Sequence, residues 1–384
     1  MERAVIVGYA RTPVARANKG SLVTMRSDDL GALVVREAVK RAGVDPKVVE
    51  DVKIGCAFPE GDQGMNVGRM IGILAGLSLD SGGSTTNRFC GSSLDTINQA
   101  AAEIMVGNAD VIVAGGVESM TRVPMGGFNP SFNEKFLSGE FPAAYIPMGL
   151  TAENVAERFE VSREDQDKFA LASHQKAIKA IEAGQFKKEI IPVEVPQPGG
   201  KVKVFDTDEC PRKETTLEKL AGLKPVFRAD GSVTAGNSSP LNDGAAAVVL
   251  MSEKKAKELG IKPLVRIVAM AYAGVEPEVM GIGPIPAVRK ALKKAGMEIG
   301  NIDIIELNEA FAAQSIAVVR ELKIDQTKLN PHGGGIAIGH PLGATGARIM
   351  NTLLSDLLGL NKTVGLETMC IGGGQGIATI VERV

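Results

Sequence analysis

The feature that most constrains the fold is an internal repeat between the two ends of the chain. The segment VVREAVKRAG, residues 34–43, recurs as AVRKALKKAG, residues 287–296, with six of ten positions identical. Both copies have apolar residues at helical spacing and end in a glycine, where a left-handed helix cap forms readily. Each copy is followed by an acidic residue and a strand, VKIGC after Asp51 and IIELN after Asp303, so that Cys56 and Asn308 occupy equivalent strand ends.

A second pair of segments repeats the order loop, helix, strand. One begins at Phe89 with FCGSSLDTINQAAAEIM, and the other begins at Gly339 with GHPLGATGARIMNTLL. Cys90 and His340 both come just before the helix of their copy. This duplication, with strands alternating with helices, predicts an α/β protein of two similar halves in which helices cover a mixed sheet.

A long insertion separates the two halves. Residues 120–241 are rich in Pro, Gly, Asn and charged residues, and they contain one convincing helical pattern, at about 163–183. Insertions of this length are usually functional lids or binding loops. We therefore predict an N-terminal half of residues 1–119 completed by 242–262, an inserted domain of residues 120–241 and a C-terminal half of residues 263–384.

The composition excludes several classes of partner. With 43 basic and 45 acidic residues, the 384-residue chain has no overall field to hold nucleic acid or an anionic membrane. No run of eighteen or more apolar residues occurs, and the first residues lack the pattern of a signal peptide. The four cysteines show no short paired spacing, so we expect free thiols in a reducing, cytoplasmic setting.

Cys90 and His340 are the first candidates for chemistry. Cys90 precedes a helical pattern, and at such a position free backbone N–H groups and the helix dipole stabilise a thiolate. Alone it is ambiguous, since free cysteines are among the most buried residue types and most are only small hydrophobic residues. His340 lies on a glycine-rich approach, GGGIAIGHPLGATGAR, and we would read an isolated histidine as a structural residue.

Cys370 and Asn308 stand at strand ends. Cys370 follows an apolar strand and precedes three glycines, which can expose a backbone N–H to a small reacting group. Asn308 lies where a strand gives way to a helix, in ELNEAFAAQ. Its side chain would either cap that helix or orient a water or a carbonyl group.

Together these segments resemble the thiolase family along the whole chain, through NRFCGSS, AGGVESM, GNSSPLNDGAA, NEAFAAQ, GHPLGATGAR and CIGGGQG in the family's order. The resemblance implies the thiolase fold, in which duplicated βαβαβαββ halves form αβαβα layers with an inserted loop domain. It implies that Cys90 is the acylated nucleophile, that His340 is the base that activates it, and that Cys370 handles the proton of the substrate α-carbon. Asn308 would hold a water that joins His340 in one oxyanion hole, and the N–H groups of Cys90 and Gly372 would form the other.

The resemblance also places coenzyme A against the insertion. Seven basic and five acidic residues lie between Lys201 and Arg228, and most of them are expected to form a solvated face. Arg212 matches a family arginine near the adenine and phosphate end. The residues that match positions beside the pantetheine arm or along the same tunnel are Met148, Phe227, Ala235, Ser239, Ala310 and Phe311.

Several residues depart from the family pattern. His332 replaces a small or amide residue, and Gly335 replaces a common alanine, so we expect extra backbone freedom or an altered water site. Pro147 stands where acetoacetyl-forming members often have histidine, and the IPMG stretch is more similar to the β-oxidation branch. GNSSPLNDGAA carries a proline that both branches usually lack. Outside the motifs, we expect Cys56 to be a buried core thiol, Cys210 to be exposed in a loop, and His174 to lie on a face of the inserted helix.

The resemblance implies 3-ketoacyl-CoA thiolysis in fatty acid β-oxidation by a homodimer or homotetramer, and it leaves open whether another β-oxidation enzyme is a partner. Coenzyme A is a substrate, and neither a metal nor another cofactor is expected. The nearest rival function is condensation of two acetyl-CoA molecules by the same residues. A decarboxylating ketoacyl synthase would use two histidines beside its cysteine, and Cys370 argues against this function. A lipid-binding homologue without activity would not need the complete set of Cys90, Asn308, His340 and Cys370.

Overall fold

The structure is a computed structural model that describes residues 2–384. The chain begins with β1 (Ala4–Arg11), β2 (Ala15–Arg16), α1 (Ser27–Ala42), β3 (Asp51–Gly55), α2 (Val67–Leu74), β4 (Ser84–Thr86), α3 (Ser92–Val106) and β5 (Val111–Ser119). It continues with α4 (Glu134–Leu137), α5 (Met148–Arg158), α6 (Arg163–Glu182), β6 (Val193–Pro196), β7 (Val202–Phe205) and α7 (Leu217–Ala221). It ends with β8 (Asn242–Ser252), α8 (Glu253–Leu259), β9 (Val265–Gly274), α9 (Pro284–Ala295), β10 (Ile304–Leu307), α10 (Ala312–Leu322), α11 (Thr345–Gly359), β11 (Val364–Ile371) and β12 (Gln375–Arg383).

The sheet confirms the duplication that the sequence predicts. Its strands follow the order β10, β11, β12, β9, β1, β8, β5, β3, β4, with β2 paired to β8. On one side β4, β3 and β5 are parallel, on the other β10 and β11 are parallel, and the remaining neighbours are antiparallel. The two sides meet only at a short pairing between β1 and β9, which are the first strands of their halves, and we refer to the two sides as the N-terminal and C-terminal sheets. The repeated helices α1 and α9 both end at a left-handed glycine, Gly43 and Gly296.

Alternating side chains of the strands divide the protein into five layers. Val5 and Val7 of β1 pack with α1 and α2, whereas Ala4 and Ile6 face α3 and α11. In the C-terminal half, Ile380 of β12 belongs to a third cluster with α9 and α10, and other residues of the strand face α3 and α11. The period of two in a strand therefore gives each sheet two apolar faces, and the αβαβα layering is confirmed.

Helices α3 and α11 form the central layer, buried between the two sheets. Ser93 Oγ accepts a hydrogen bond from the backbone N–H of Ala347 at 2.9 Å, which joins the first turns of the two helices. Gly346 lies so close to α3 that a methyl group there would overlap the backbone nitrogen of Leu94. The two helices consequently begin side by side, at the same end of the layer.

The insertion differs from the sequence expectation in two respects. Its helix α6 is confirmed, but the expectation of a single helix is wrong, because α5 forms a second long helix that packs on α10 and on the turn Pro277–Ile282, and α4 and α7 are two short ones. Met148, Ala152 and Val155 give α5 apolar residues at helical spacing, so its sequence carries a helical signal that the expectation of a single helix overlooked. Cys210 was expected to be exposed, and this is also wrong. It is 2% exposed, and its sulfur accepts a hydrogen bond from the Asn242 amide at 3.1 Å.

Among residues 2–384, no helix is both long enough and apolar enough to cross a lipid bilayer.

We predict that Gly346→Ala lowers the free energy of unfolding by about 1–3 kcal/mol, because the added methyl group overpacks the contact between α3 and α11. Gly359→Ala in the same helix is the matched control, since open space surrounds that position. It should raise the stability by about 0.5–1 kcal/mol through helix propensity. Chemical denaturation of both variants measures the difference, and equal midpoints would contradict the close packing of the central layer.

Candidate active site

Cys90, His340 and Cys370 come together at the start of the central layer, and Asn308 lies beside them. The turn Phe89–Gly91, which carries Cys90, packs against β11, where Cys370 lies, and against the turn Leu342–Ala344 that follows His340. Asn308 follows β10, and its Nδ2 lies 3.3 Å from Nε2 of His340. All four side chains are at least nine-tenths buried. The structure thus places the predicted nucleophile, base, second cysteine and amide at one end of the sheets.

The backbone N–H groups of Gly372 and of Cys90 itself lie near the Cys90 sulfur, and both act to lower its pKa. Burial acts in the opposite direction and is larger, so the pKa of the Cys90 thiol is raised to about 12. The N–H groups and the helix start at Cys90 therefore do not by themselves make it a thiolate in the resting protein. Two N–H donors do not offset the cost of removing a charged sulfur from water, and a nearby base must accept the proton. The preceding Phe89 has φ of 44°, an uncommon backbone conformation for a bulky residue.

His340 is held as a neutral base. Burial, followed by the charge of Arg348, lowers its pKa to about 3, so the imidazole carries a single ring proton at neutral pH. Its backbone N–H donates to Oδ1 of Asn242 at 2.8 Å, and its Nδ1 lies 2.6 Å from Oγ1 of Thr345. Gly339 has φ of 119°, and a side chain there would approach Asn242 Oδ1 to 2.8 Å. Glycine at this position is required both by the backbone conformation and by the lack of space.

Two buried glutamates fix the loop around His340. Glu309 accepts hydrogen bonds from the Ser173 hydroxyl at 2.6 Å and the Ile336 N–H at 3.3 Å, which ties the loop to α6 of the insertion. Glu118 accepts hydrogen bonds of 2.7 Å from the N–H groups of both Gly343 and Ala57, which ties the loop to the N-terminal half.

Sequence reasoning did not single out Glu118, Glu309, Asn242 or Thr345 as functional residues. All four lie within motifs that carried the family resemblance. The signal that could have found them is a polar residue inside an otherwise apolar or glycine-rich run, as Glu118 is in AGGVESM.

Cys370 lies at the base of an apolar cluster. Its neighbours include Ala152, Val233, Met280, Ala310 and Phe311, with Met148 packed against them. Burial, and then the proximity of Cys90, raises the pKa of Cys370 above its ordinary value. Cys370 is therefore a protonated thiol beside Cys90, and such a group can donate a proton to a carbanion formed next to it.

Five of the seven residues predicted to bind coenzyme A come together. Met148, Ala310 and Phe311 belong to the cluster above Cys370. The Phe227 ring lies 6.2 Å from that of Phe311 in an edge-on arrangement, and the Ser239 N–H donates to the Ala310 carbonyl at 2.9 Å. These contacts form an apolar wall between the insertion and the loop after β10.

The remaining two of the seven residues, Arg212 and Ala235, are both exposed to solvent on the insertion. The Arg212 N–H donates to Nδ1 of His174 at 3.2 Å. His174 itself is buried, which lowers its pKa to about 4.

His332 and Gly335, the two residues near His340 that differ from the family pattern, both have structural explanations. His332 Nδ1 lies 2.5 Å from Oδ1 of Asp356, and this partner raises the pKa of the imidazole against the opposing effect of burial. A side chain at Gly335 would approach Asn308 Oδ1 and the Glu309 carbonyl oxygen to 2.9 Å. Alanine at this position would therefore press on the amide that faces His340. Cys56, as expected, is fully buried.

We predict that iodoacetamide labels Cys90 before the other cysteines, because Cys90 is the most exposed of the four at 8%. Since only the thiolate reacts and its pKa is about 12, the labelling rate should rise about tenfold per unit between pH 7 and pH 10. Peptide mapping measures the rate, and Cys370→Ala is the control that separates the two neighbouring thiols. A rate that is already constant above pH 7 would contradict a protonated Cys90.

Comparison with known proteins identifies the family to which the chain belongs. Residues 4–254 match the family model described as thiolase, N-terminal domain, and residues 261–383 match thiolase, C-terminal domain. The chain is 51% identical to the 3-ketoacyl-CoA thiolase of Bacillus subtilis and 48% identical to an acetyl-CoA acetyltransferase of Pseudomonas aeruginosa, over the full length of all three proteins. The crystal structure of the Bacillus anthracis acetyl-CoA acetyltransferase superposes with a TM-score of 0.93 at 44% identity, covering 100% of this chain and 99% of the other. The chain therefore belongs to the thiolase family of acyltransferases.

Proposed function

We propose that this enzyme cleaves a 3-ketoacyl-CoA with coenzyme A, giving acetyl-CoA and a shortened acyl-CoA through an acyl group on Cys90. The observation that supports this proposal most is the pair of N–H donors, from Cys90 and Gly372, at the Cys90 sulfur, with a second thiol beside it. A thioester carbonyl formed on that sulfur would have its oxygen close to both donors. Such donors stabilise the negative oxygen of each tetrahedral intermediate.

The first half of the reaction uses all three ionisable groups. His340 takes the proton of Cys90 as its sulfur attacks the 3-keto carbon, and the oxyanion forms beside His340 and a water held by Asn308. The bond between the α-carbon and the keto carbon then breaks, and the acetyl-CoA enolate takes the proton of Cys370. In support, Oδ1 of Asn308 has no partner among residues 2–384 and can accept a hydrogen bond from that water.

The second half restores the starting protonation. The thiol of coenzyme A gives its proton to the Cys370 thiolate and attacks the acyl group on Cys90. The oxyanion of this step is held by the N–H groups of Cys90 and Gly372. When the intermediate collapses, the Cys90 sulfur leaves and recovers its proton from His340. Splitting the reaction through an acyl-enzyme gives two easier steps and requires no cofactor apart from the substrate coenzyme A.

We predict that Cys370→Ala still gains an acetyl group from acetyl-CoA on Cys90 but forms almost no acetoacetyl-CoA. Acetylation expels a thiolate, which is a good leaving group, whereas condensation needs a base for the α-proton, an effect typically of about 10²–10⁴ in rate. Peptide mass spectrometry and product assay measure the two steps, with Cys90→Ala as the control that loses both. A Cys370→Ala variant that condenses at the wild-type rate, or is never acetylated, would show that the roles are wrong.

Coenzyme A would lie along the wall formed by Met148, Phe227, Ser239, Ala310 and Phe311, with its pantetheine arm reaching the thiols. Ala235 would contact the pantetheine arm as well, and the exposed position of Arg212 suits a contact with the outer end of the molecule. The guanidinium of Arg212 would meet the adenine and phosphate end, since arginine recognises phosphate oxygens in pairs.

We predict that Arg212→Ala raises the Michaelis constant for coenzyme A with little change in turnover, because the contact is equal in the ground and transition states. Salt should reduce the effect, since ions screen charges near the surface. Lys213→Ala is the matched control, because that exposed neighbour is already paired with Glu182. If the two variants bind coenzyme A equally well at low salt, Arg212 does not contact it.

The degradative direction is supported by features of the sequence. Pro147 and the IPMG stretch resemble the β-oxidation branch, and the Bacillus subtilis relative is named for 3-ketoacyl-CoA. Condensation of two acetyl-CoA molecules is the second candidate, because two further full-length relatives are named acetyl-CoA acetyltransferase.

We predict that 3-ketoacyl-CoA substrates of six to ten carbons turn over as fast as acetoacetyl-CoA or faster, because the wall above Cys370 is apolar and Met148 is flexible. Steady-state assays across this series measure the preference. Strict specificity for the four-carbon substrate would favour the biosynthetic direction.

We further propose that the enzyme is a homodimer or a dimer of dimers, works in the cytoplasm and pairs with another β-oxidation enzyme. Strand β4 is at an edge of the sheet, and the nearby large apolar residues Met65, Met70, Ile73, Leu74 and Leu79 are exposed. An uncovered strand edge beside apolar side chains is a typical pairing surface. The free thiols and thioester chemistry suit a reducing compartment.

A further inference from the structure

The hydrogen bonds around His340 determine which ring nitrogen carries its proton. Thr345 Oγ1 lies 2.6 Å from Nδ1 of His340 and also donates to the Pro341 carbonyl oxygen at 3.0 Å. A hydroxyl group has one hydrogen. If that hydrogen is directed to Pro341, the oxygen can only accept from His340, and Nδ1 must then carry the proton.

The Asn308 amide does not decide between the two ring nitrogens, because its nitrogen lies 3.3 Å from Nε2 and 3.5 Å from Nδ1 of His340. The assignment therefore depends on Thr345. In the opposite tautomer the Thr345 hydroxyl would donate to Nδ1, and its oxygen would then face the Pro341 carbonyl oxygen at 3.0 Å with no hydrogen between them.

We propose that Thr345 is a positioning residue that holds His340 in the Nδ1–H tautomer, with the lone pair of Nε2 free to take the proton of Cys90. This inference rests on the proposed function for its catalytic consequence, but the tautomer itself does not. Thr345 opens α11, so the same helix that forms the central layer also sets the protonation of the base. Because the resting imidazole is neutral, it has only one ring proton to place, and a single acceptor at Nδ1 is enough to decide its position.

Neutron diffraction from crystals exchanged into D₂O near neutral pH tests the proposal directly. The expected map shows deuterium on Nδ1 of His340, none on Nε2, and the Thr345 deuterium directed at the Pro341 carbonyl. Deuterium on Nε2 would overturn the assignment. The map shows the tautomer whatever reaction the enzyme catalyses. Failure of the wild-type enzyme to acetylate Cys90 would instead refute the proposed function and leave the tautomer assignment unaffected.

Two variants test the consequence. Thr345→Val keeps the shape but removes the acceptor, and we expect at least tenfold slower acetylation of Cys90 with deuterium on Nε2 or divided between the two nitrogens. Thr345→Ser keeps the hydroxyl group, and its rate of Cys90 acetylation should stay within about threefold of the wild-type rate. If Thr345 acted only through the bulk of its methyl group, Thr345→Ser would be slow as well. Wild-type acetylation and an unchanged map in Thr345→Val would overturn the role of Thr345. If Thr345→Val does not fold, the wild-type neutron map still tests the tautomer, and the acetylation rate of Thr345→Ser still tests the role of the hydroxyl group.

Discussion

The structure depends on the burial of two adjacent helices, α3 and α11, between two sheets. Each helix comes from one copy of the repeat, and the turns before them carry Cys90 and His340. Because the helices pack side by side with their starts at the same end, two residues 250 positions apart in the chain become neighbours. Strands β10 and β11 border the same layer and supply Asn308 and Cys370 at their carboxyl ends. The site is thus a product of the duplication, with two residues from helix starts and two from strand ends.

Burial also determines the chemistry of the site. It raises the pKa of both thiols and lowers the pKa of His340, so the three reacting groups are uncharged at neutral pH. Charge would appear only when a substrate is attacked, next to N–H donors that are already in place. This arrangement differs from a preformed thiolate and imidazolium pair, in which charge separation precedes the substrate. Donors fixed by the backbone need no reorganisation as the oxyanion forms, which is the main source of catalysis in sites of this kind.

Local patterns in the sequence predicted the parts of the structure that depend on neighbours along the chain. The helical spacing and terminal glycine of residues 34–43 and 287–296 predicted α1, α9 and their left-handed caps, and the repeat predicted the two halves. The positions of Cys90 and His340 before helices followed from the same patterns. The protonation of Cys90 was not predictable, because local N–H donors favour a thiolate and only the depth of burial reverses that preference.

Tertiary contacts account for the remaining differences. Cys210 lies in a polar loop sequence, yet it is buried because Asn242 of β8 meets it from a distant part of the chain. Helix α5 is held by its packing on α10 and on the turn Pro277–Ile282. Glu118 could not be assigned a partner from the sequence, since its hydrogen bonds come from Ala57 and Gly343, which only the folded chain brings near.

The central claim is that the start of the central layer holds an acyl group on Cys90 between two backbone N–H groups. A crystal of the Cys370→Ala variant, soaked with acetyl-CoA and cooled before turnover, tests it most directly. We expect density for an acetyl group on the Cys90 sulfur, with its carbonyl oxygen about 2.7–3.1 Å from the N–H groups of Cys90 and Gly372. An acetyl group on another residue, or a carbonyl oxygen directed away from both N–H groups, would contradict this claim.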